Sequence, residues 1–486
     1  MLQLESKLSN LSSTNIAVIG LGIEGVALCD FLIDKVQSIT VLEKKSEADL
    51  RNKATDELRS KIESILINSK IKKVFGDGYL DDLGQFDIVF RSPSIYFADQ
   101  KLLDAKENGT KISSQIALFF DLCPCKIIGV TGTKGKGTTA SLLTEIISEK
   151  FKNDHTSRSV YLAGNIGYPA VTLLPELKTD DLVVLELSNF QLADLEKSPN
   201  IAIVTNLSVD HLDYHKTVEE YHAAKKSIIK HQNEHDFAIL NFGSTFDQTT
   251  IDQSKSQKRF FSGSATDSTD AVVLRKNDLY TVVLDPEKRN IEICNENNIK
   301  LLGRHNLENI AAATIAADIL NIEHELISNV AKNFVGLTHR LELISEIEGV
   351  KYINDSFATN PGPTIAAIKS FREPKILILG GSEKGADFDE LGEIVAGNSV
   401  KSVVLIGVEK DRIRESLLKS NYTGEIASGD GDIDKIVISA KNMATSGDVI
   451  IFSPACASFD MFKNYKDRGD KFREAVLKIA EEINDK

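Results

Sequence analysis

The sequence predicts an α/β protein in three domains. Three observations predict it. Strand-length apolar runs alternate with helical apolar patterns along most of the 486 residues, the order that gives sheets with helices packed on them. Two of those runs, residues 16–19 and 127–130, end in glycine-rich loops that lead into helices. The chain is 42% hydrophobic, which is enough material for several packed cores.

In the N-terminal region the run 16–19 leads into Gly20-Leu21-Gly22-Ile23-Glu24-Gly25. A helical pattern (Val26, Leu28, Phe31, Leu32) and a second strand, residues 39–42, follow. Glu43 ends that strand, where a dinucleotide-binding fold places a ribose-binding acid. On these residues NAD binding and a turn that only packs helix on strand both stay open. Strand-like runs recur at 72–75 and 87–91, with a helix after Ala98, so residues 1–112 read as a small Rossmann-like domain.

The central region, 113–338, opens on the second loop, Thr131-Gly132-Thr133-Lys134-Gly135-Lys136-Gly137-Thr138-Thr139, with a helical pattern from Ala140. Strand, loop and helix in this order form a phosphate cradle. Glycines let backbone N–H groups close on an anion, and the helix start adds partial positive charge. Lys136 is placed for the outer phosphates and a threonine hydroxyl for Mg²⁺. Gly137 follows the lysine where Ser or Thr is usual, so Thr138 or Thr139 must supply that hydroxyl. The bland alternative is a glycine turn that merely joins strand to helix.

Downstream, a strand at 160–163 precedes Gly164-Asn165-Ile166-Gly167, and a strand at 182–187 runs into Ser188-Asn189-Phe190-Gln191. Glu186, at the end of a buried strand beyond a phosphate loop, suits Mg²⁺. The strand 201–204 leads to Thr205-Asn206-Leu207-Ser208-Val209-Asp210-His211-Leu212-Asp213, where a histidine sits beside two carboxylates. A helix at 218–230 carries Lys225 and Lys226. Short alternating runs between 237 and 294 read as a small β subregion. Asn306, before an alanine-rich helix at 310–320, is a reasonable N-cap.

After Gly336-Leu337-Thr338-His339-Arg340 the pattern changes again, and residues 339–486 read as a further Rossmann-like α/β domain. Strands at 341–347 and 352–353 precede a polar loop, residues 354–363, and strands at 376–379, 402–406 and 449–452 alternate with helices. Gly380-Gly381-Ser382-Glu383-Lys384 and Ser453-Pro454-Ala455-Cys456-Ala457-Ser458 fall at strand C-termini, where open α/β sheets bind ligands.

The net charge of −14 disfavours nonspecific nucleic-acid binding. No apolar run approaches a membrane span, and the first residues lack the basic-then-apolar order of a secretory signal. Five scattered cysteines fit reduced thiols in a cytosol. Cys123-Pro124-Cys125 lacks nearby partner ligands for zinc.

Ten motifs in one order carry a resemblance: TGTKGKGTT, GNIG, ELSNFQL, NLSVDHLD, YHAAK, GRHNLEN, GLTHR, NDSFATNPG, GGSEKGADF and SPACASFDMFKNYKDRG. From Gly20 to about Phe472 the chain resembles the Mur ligases. ELSNFQL and the last motif point to the D-glutamate-adding branch. The resemblance implies an N-terminal domain for a UDP moiety, a central ATPase and a C-terminal domain for the incoming amino acid. It replaces the NAD reading: Gly20, Gly22 and Gly25 would cradle a UDP diphosphate.

The implied chemistry is ATP-driven amide formation in peptidoglycan precursor synthesis. The carboxylate of UDP-N-acetylmuramoyl-L-alanine becomes an acyl phosphate, and the amine of D-glutamate displaces phosphate. By matched position, Gly132, Thr133, Lys134, Gly135, Lys136, Gly137 and Thr138 would hold ATP, with Asn306, Asn309, Arg340 and Asp355 on the rest of the nucleotide. The catalytic set would be Lys136, Glu186, His211 and Lys225. Thr138, Glu186, His211 and a carbamylated Lys225 would hold two Mg²⁺ ions. Glu43, Asn165, Ser188 and Gln191 would meet the UDP-substrate, and Thr359, Lys384, Ser458 and Tyr465 the D-glutamate. The implied partners are these small molecules, with no nucleic acid and no membrane, for a monomer in the cytoplasm.

Three positions depart from the family pattern. Besides Gly137, Phe357 stands where D-glutamate ligases carry lysine, and Glu43-Lys44 stands where an Asp-Thr pair meets uracil. Lys-Gly followed by a hydroxyl residue resembles the folate polyglutamate ligases, which is an alternative reading. A silent nucleotide-binding scaffold is another, motivated by Gly137 and Phe357.

Overall fold

The computed structural model describes residues 8–53, 56–208, 217–243, 246–264, 269–276, 279–285, 287–383, 385–429 and 431–484. Three sheets organise them. The first is built from β1 (Asn15–Ile19), β2 (Ser38–Glu43), β3 (Ile71–Phe75), β4 (Ile88–Arg91) and β5 (Lys111–Ser114). Its order is β3-β2-β1-β4-β5 and every pairing is parallel. Such strands are covered on both faces, which is why β1 and β4 read as continuous apolar runs. The strand β5 runs through residue 112, the expected end of the domain. Its sequence, KISS, is too short and polar to announce a strand.

The second sheet contains β6 (Lys126–Thr131), β7 (Val160–Gly164), β8 (Leu182–Glu186), β9 (Ile201–Val204), β10 (Phe237–Asn241), β11 (Gln257–Ser262), β12 (Ala271–Lys276), β13 (Leu279–Leu284) and β14 (Ile291–Asn295). Its order is β14-β13-β12-β11-β10-β9-β6-β8-β7. The β subregion is therefore not a separate body. The strands β10 and β11 continue the parallel sheet, and β12 to β14 finish it as an antiparallel meander. The connecting strand β11, QKRFFS, is polar at its start and gave no sequence signal.

The third sheet contains β15 (Glu342–Ile347), β16 (Val350–Asn354), β17 (Lys375–Gly380), β18 (Val400–Ile406), β19 (Glu425–Ser428) and β20 (Val449–Phe452), in the order β15-β16-β20-β17-β18-β19. Among the described strands of this sheet, only the β15–β16 hairpin pairs antiparallel.

The chain forms two compact units. One comprises Met1–Asn298 with Leu307–Lys332, and the other Ile299–Asn306 with Asn333–Lys486. The first two sheets share a unit because one apolar cluster runs through both, from Ile16 and Phe31 through Phe119 and Val171 to Leu240 and Ile251. Among the described residues no helix is long and apolar enough to cross a membrane.

Candidate active site

The second glycine loop joins β6 to the helix Lys136–Asn153. That helix begins four residues before the expected Ala140. Gly135 is its N-cap, with φ +84°, and no side chain caps it. Neighbouring helices behave differently: Asp99, Ser114 and Thr217 each accept a hydrogen bond from the first turn they precede. A long helix that starts at a glycine with no capping side chain of its own has the start that an anion can complete. A Cβ on Gly135 would lie 2.2 Å from Asn309 Oδ1, and one on Gly132 2.0 Å from Thr205 Oγ1. Glycine is thus required at both places, by φ and by packing.

The loop is held from the β9 end. Thr133 N–H donates to the Asn206 carbonyl at 2.8 Å, Lys134 N–H to Asn206 Oδ1 at 3.0 Å, and Thr205 Oγ1 to the Lys134 carbonyl at 2.5 Å. Ser208 N–H donates to Thr133 Oγ1, which also lies 3.0 Å from the Tyr221 hydroxyl. This mesh ties the loop to the segment that follows β9.

Lys136 Nζ lies 3.9 Å from Glu186 Oε1, with Glu186 only 2% exposed. Glu186 Oε2 accepts from Asn165 Nδ2 at 3.0 Å. The strands β6, β8 and β7 are adjacent and parallel, so the three side chains converge at their C-terminal ends. Lys225, 1% exposed, comes from the helix Val218–Lys230. Its Nζ donates to the Gly132 carbonyl at 3.2 Å and lies 4.8 Å from the Tyr221 ring centroid. Lys136, Glu186 and Lys225 are thus brought to one loop.

At the first glycine loop the three glycines have separate reasons. Gly20 has φ +84°. A Cβ on Gly25 would fall 1.9 Å from the Gly20 carbonyl oxygen, whereas one on Gly22 would meet no described atom within 4 Å. Gly22 is also the N-cap of the helix Ile23–Leu32, without a side-chain cap. Turn, close approach of a ligand, and helix packing are the three roles of such a fingerprint. Glu43 turns its carboxylate onto backbone, accepting from Leu21 N–H and Lys45 N–H at 3.0 Å each. It therefore shapes the loop.

Ser188 and Gln191 form a capping box at the helix Asn189–Leu192, directly after β8. Gln191 Nε2 also donates to Glu24 Oε1 at 2.6 Å, which joins this segment to the first glycine loop. Burial pushes the Glu24 carboxyl up, partly opposed by that hydrogen bond and by Arg91.

In the second unit the loops after β17 and β20 are zipped together. Gly380 N–H donates to the Pro454 carbonyl at 2.7 Å and Ser382 N–H to the Ala457 carbonyl at 2.9 Å. Ser458 is buried in this loop, and Thr359 is half-buried beyond β16. Asp355 Oδ2 accepts from Ser453 Oγ at 2.6 Å and Oδ1 from Leu341 N–H at 3.2 Å. Burial still raises its pKa to about 7. The ring of Phe357 stands edge-on to Tyr465 at 5.0 Å, and Arg340 lies over it at 5.2 Å. Asn306 belongs to this unit; it is the first residue of the helix Asn306–Ile319, not its cap, and donates to the Leu302 carbonyl.

A hollow of about 840 Å³ beside β5 is lined by Ser113, Lys197 and Lys230 among others, and none of the expected site residues that are described lines it.

Residues 130–317 match the pattern described as the Mur ligase middle domain, and residues 339–456 the Mur ligase glutamate ligase domain. The chain is 39% identical to the UDP-N-acetylmuramoylalanine–D-glutamate ligase of Acetivibrio thermocellus over 475 residues, covering 96% of this chain and 97% of that one. The chain belongs to the Mur ligase family. It is 36% identical to the ligase of the same name from Clostridium perfringens, covering 96% and 98%. Its fold is similar to that of UDP-N-acetylmuramate-alanine ligase from Thermotoga maritima (17% identity, TM-score 0.57, 96% and 99% covered). It is also similar to that of MurF from Acinetobacter baumannii (15% identity, TM-score 0.58, 97% and 98% covered).

Two residues expected in this Mur ligase's site, His211 and Lys384, lie outside the described residues. Sequence reasoning assigned no role to Tyr221 or to Arg468. Arg468, fully buried, donates from Nε and Nη2 to the Ser356 hydroxyl and carbonyl and from Nη1 to the carbonyls of Cys456 and Ala457. It joins the loop after β16 to the loop after β20, and burial lowers its pKa to about 10. Its place within KDRG was the available signal; nothing local marks it as buried.

Proposed function

We propose that this Mur ligase uses ATP to add D-glutamate to UDP-N-acetylmuramoyl-L-alanine, a step of peptidoglycan precursor synthesis. The observation that carries the reading is the end of β8. There Glu186 faces Lys136 of the phosphate loop, and the segment it leads reaches the first glycine loop through Gln191 and Glu24. A site for a nucleotide triphosphate and a site for a UDP-linked substrate are thereby joined by one short stretch of chain. The names of relatives 39% and 36% identical across nearly the whole chain supply the D-glutamate.

In this reading the backbone N–H groups at the start of Lys136–Asn153 and the Lys136 ammonium hold the outer phosphates and neutralise charge as the phosphoryl group moves. A substrate carboxylate oxygen bonds to the γ-phosphorus and the bond to ADP breaks. The neutral amine of D-glutamate then bonds to the acyl carbon, inorganic phosphate leaves and the amine loses a proton. Thr359, Lys384, Ser458 and Tyr465 would orient the amino acid, and Gly20, Gly22, Gly25, Glu43, Asn165, Ser188 and Gln191 the UDP-substrate. Asn306, Asn309, Arg340 and Asp355 would serve the nucleotide.

The donor set fits Mg²⁺, since Glu186 is a buried carboxylate and Thr138 a hydroxyl in the first turn of the helix. These two, with His211 and a carbamylated Lys225, would hold two ions, which would spread the phosphate charge. Carbamylation would first take one proton from the Lys225 ammonium, then join the neutral amine nitrogen to the carbon of carbon dioxide with loss of a second proton, and so turn a cation into an anionic oxygen donor. We take the enzyme to be a cytoplasmic monomer.

The test supplies purified protein with ATP, Mg²⁺, UDP-N-acetylmuramoyl-L-alanine and D-glutamate and follows phosphate release. Release that depends on both substrates is expected. Turnover with a pterin substrate in place of the UDP-sugar would overturn the reading, and so would ATP binding with no hydrolysis.

A further inference from the structure

We infer that Arg91 is a positioning residue that fixes the distance between the first glycine loop and Glu186, an inference that rests on the ligase reading above. Arg91 is the last residue of β4, which pairs with β1 beside the loop. A Cβ on Gly20 would lie 3.4 Å from Ser92 Cβ, so the end of β4 and the loop are in contact range. The Arg91 side chain is 1% exposed.

Every nitrogen of its guanidinium is engaged. Nε and Nη2 donate to the two oxygens of Asp194 at 2.7 Å each. Nη2 also donates to the Phe190 carbonyl at 3.0 Å, and Nη1 to the carbonyls of Ser92 at 3.1 Å and Ile95 at 2.7 Å. Phe190 lies in the helix Asn189–Leu192 and Asp194 just beyond it, in the segment that Glu186 leads. One buried fork therefore joins the end of β4 to the segment that follows β8. A planar bidentate fork fixes orientation as well as distance, which a single ammonium cannot do.

The second tie, Gln191 to Glu24, runs from the same segment to the loop itself. A substrate with its diphosphate at Gly20–Gly25 and its carboxylate at the Lys136–Glu186 end spans both ties. The bonds of Arg91 given above all go to the segment after β8 and to its own turn, so its proposed role is to set whether both ends can be met at once. A misplacement of about 1 Å costs on the order of 10²-fold in rate.

The test uses Arg91→Lys in the full chain, which keeps the charge and loses the fork. Affinities for ATP alone and for UDP alone should stay within about twofold, while kcat/KM for the whole UDP-substrate falls by about tenfold or more. Asp194→Ala should do the same, and the double variant should fall little further than the worse single one. A kcat/KM within about twofold of the parent, or losses that simply multiply, would overturn the inference. If Arg91→Lys folds poorly, Asp194→Asn carries the same measurements with the carbonyl ties intact. Hydrogen exchange over residues 187–195 gives a readout independent of turnover: faster exchange is expected in the variants, and unchanged exchange refutes the tie. A parent protein inert with the UDP-substrate would count against the ligase reading, while the exchange result would still decide the role of Arg91.

Discussion

At Asp355 two hydrogen bonds, from the Ser453 hydroxyl and the Leu341 N–H, do not offset the cost of burial, and the carboxyl stays protonated up to about pH 7. The unfolded chain releases that proton in the ordinary carboxylate range. The folded protein thus binds more protons across the window from there to about 7, so stability falls as pH rises through it. Asp355→Asn should flatten that slope. Unfolding free energies from urea titrations at about pH 5 and about pH 8 should differ less in the variant than in the parent, by on the order of 1–3 kcal/mol. An unchanged slope would remove Asp355 as its source. Lys225 offers a second test. Its amine is buried against the Gly132 carbonyl and the Tyr221 ring. If a carbamate there holds a metal ion, Lys225→Ala should lose about 10²-fold or more in kcat, and acetate or formate should restore part of it. Full activity of that variant in plain buffer would refute carbamylation.

At the scale of an element, the two glycine loops separate what the fold needs from what a ligand needs. Gly25 packs against the Gly20 carbonyl, so Gly25→Ala should lower the melting temperature. Gly22 has an extended backbone that alanine can adopt, and no described atom stands where its Cβ would go. Gly22→Ala should therefore melt only slightly below the parent, by the cost of a poorer N-cap, and less than Gly25→Ala does, while its affinity for the UDP-substrate drops by about tenfold or more. Equal melting and equal affinity, read by calorimetry, would mean that the diphosphate does not approach this loop. The sequence showed both loops, because strand, glycines and helix are contiguous. It misplaced the start of the helix Lys136–Asn153, since Gly137, Thr138 and Thr139 are weak helix formers whose helical state comes from the turn at Gly135.

Across the whole molecule, the contacts that make a site are those between residues far apart in the chain. Arg91 and Asp194 are 103 residues apart, and Glu24 and Gln191 are 167 apart. Neither pairing leaves a trace in composition or period. The continuity of the second sheet through β11, and of the first unit's core across two sheets, was equally hidden, because a polar strand and a shared apolar cluster have no local signature. By itself the sequence determined the alternation of strands and helices and the two glycine-rich strand–loop–helix turns, because each depends on neighbours along the chain; the roles expected for Lys136 and Glu186 rest on their places at the phosphate loop and at a strand end, and that of Lys225 on the family resemblance alone. Only the tertiary structure decided that Glu43 braces its loop, that Arg468 binds two loops of the second unit, and that one buried arginine ties the glycine loop to the end of β8. A guanidinium or carboxylate takes its role from the partners that folding brings within about 3 Å, and sequence order does not specify those partners.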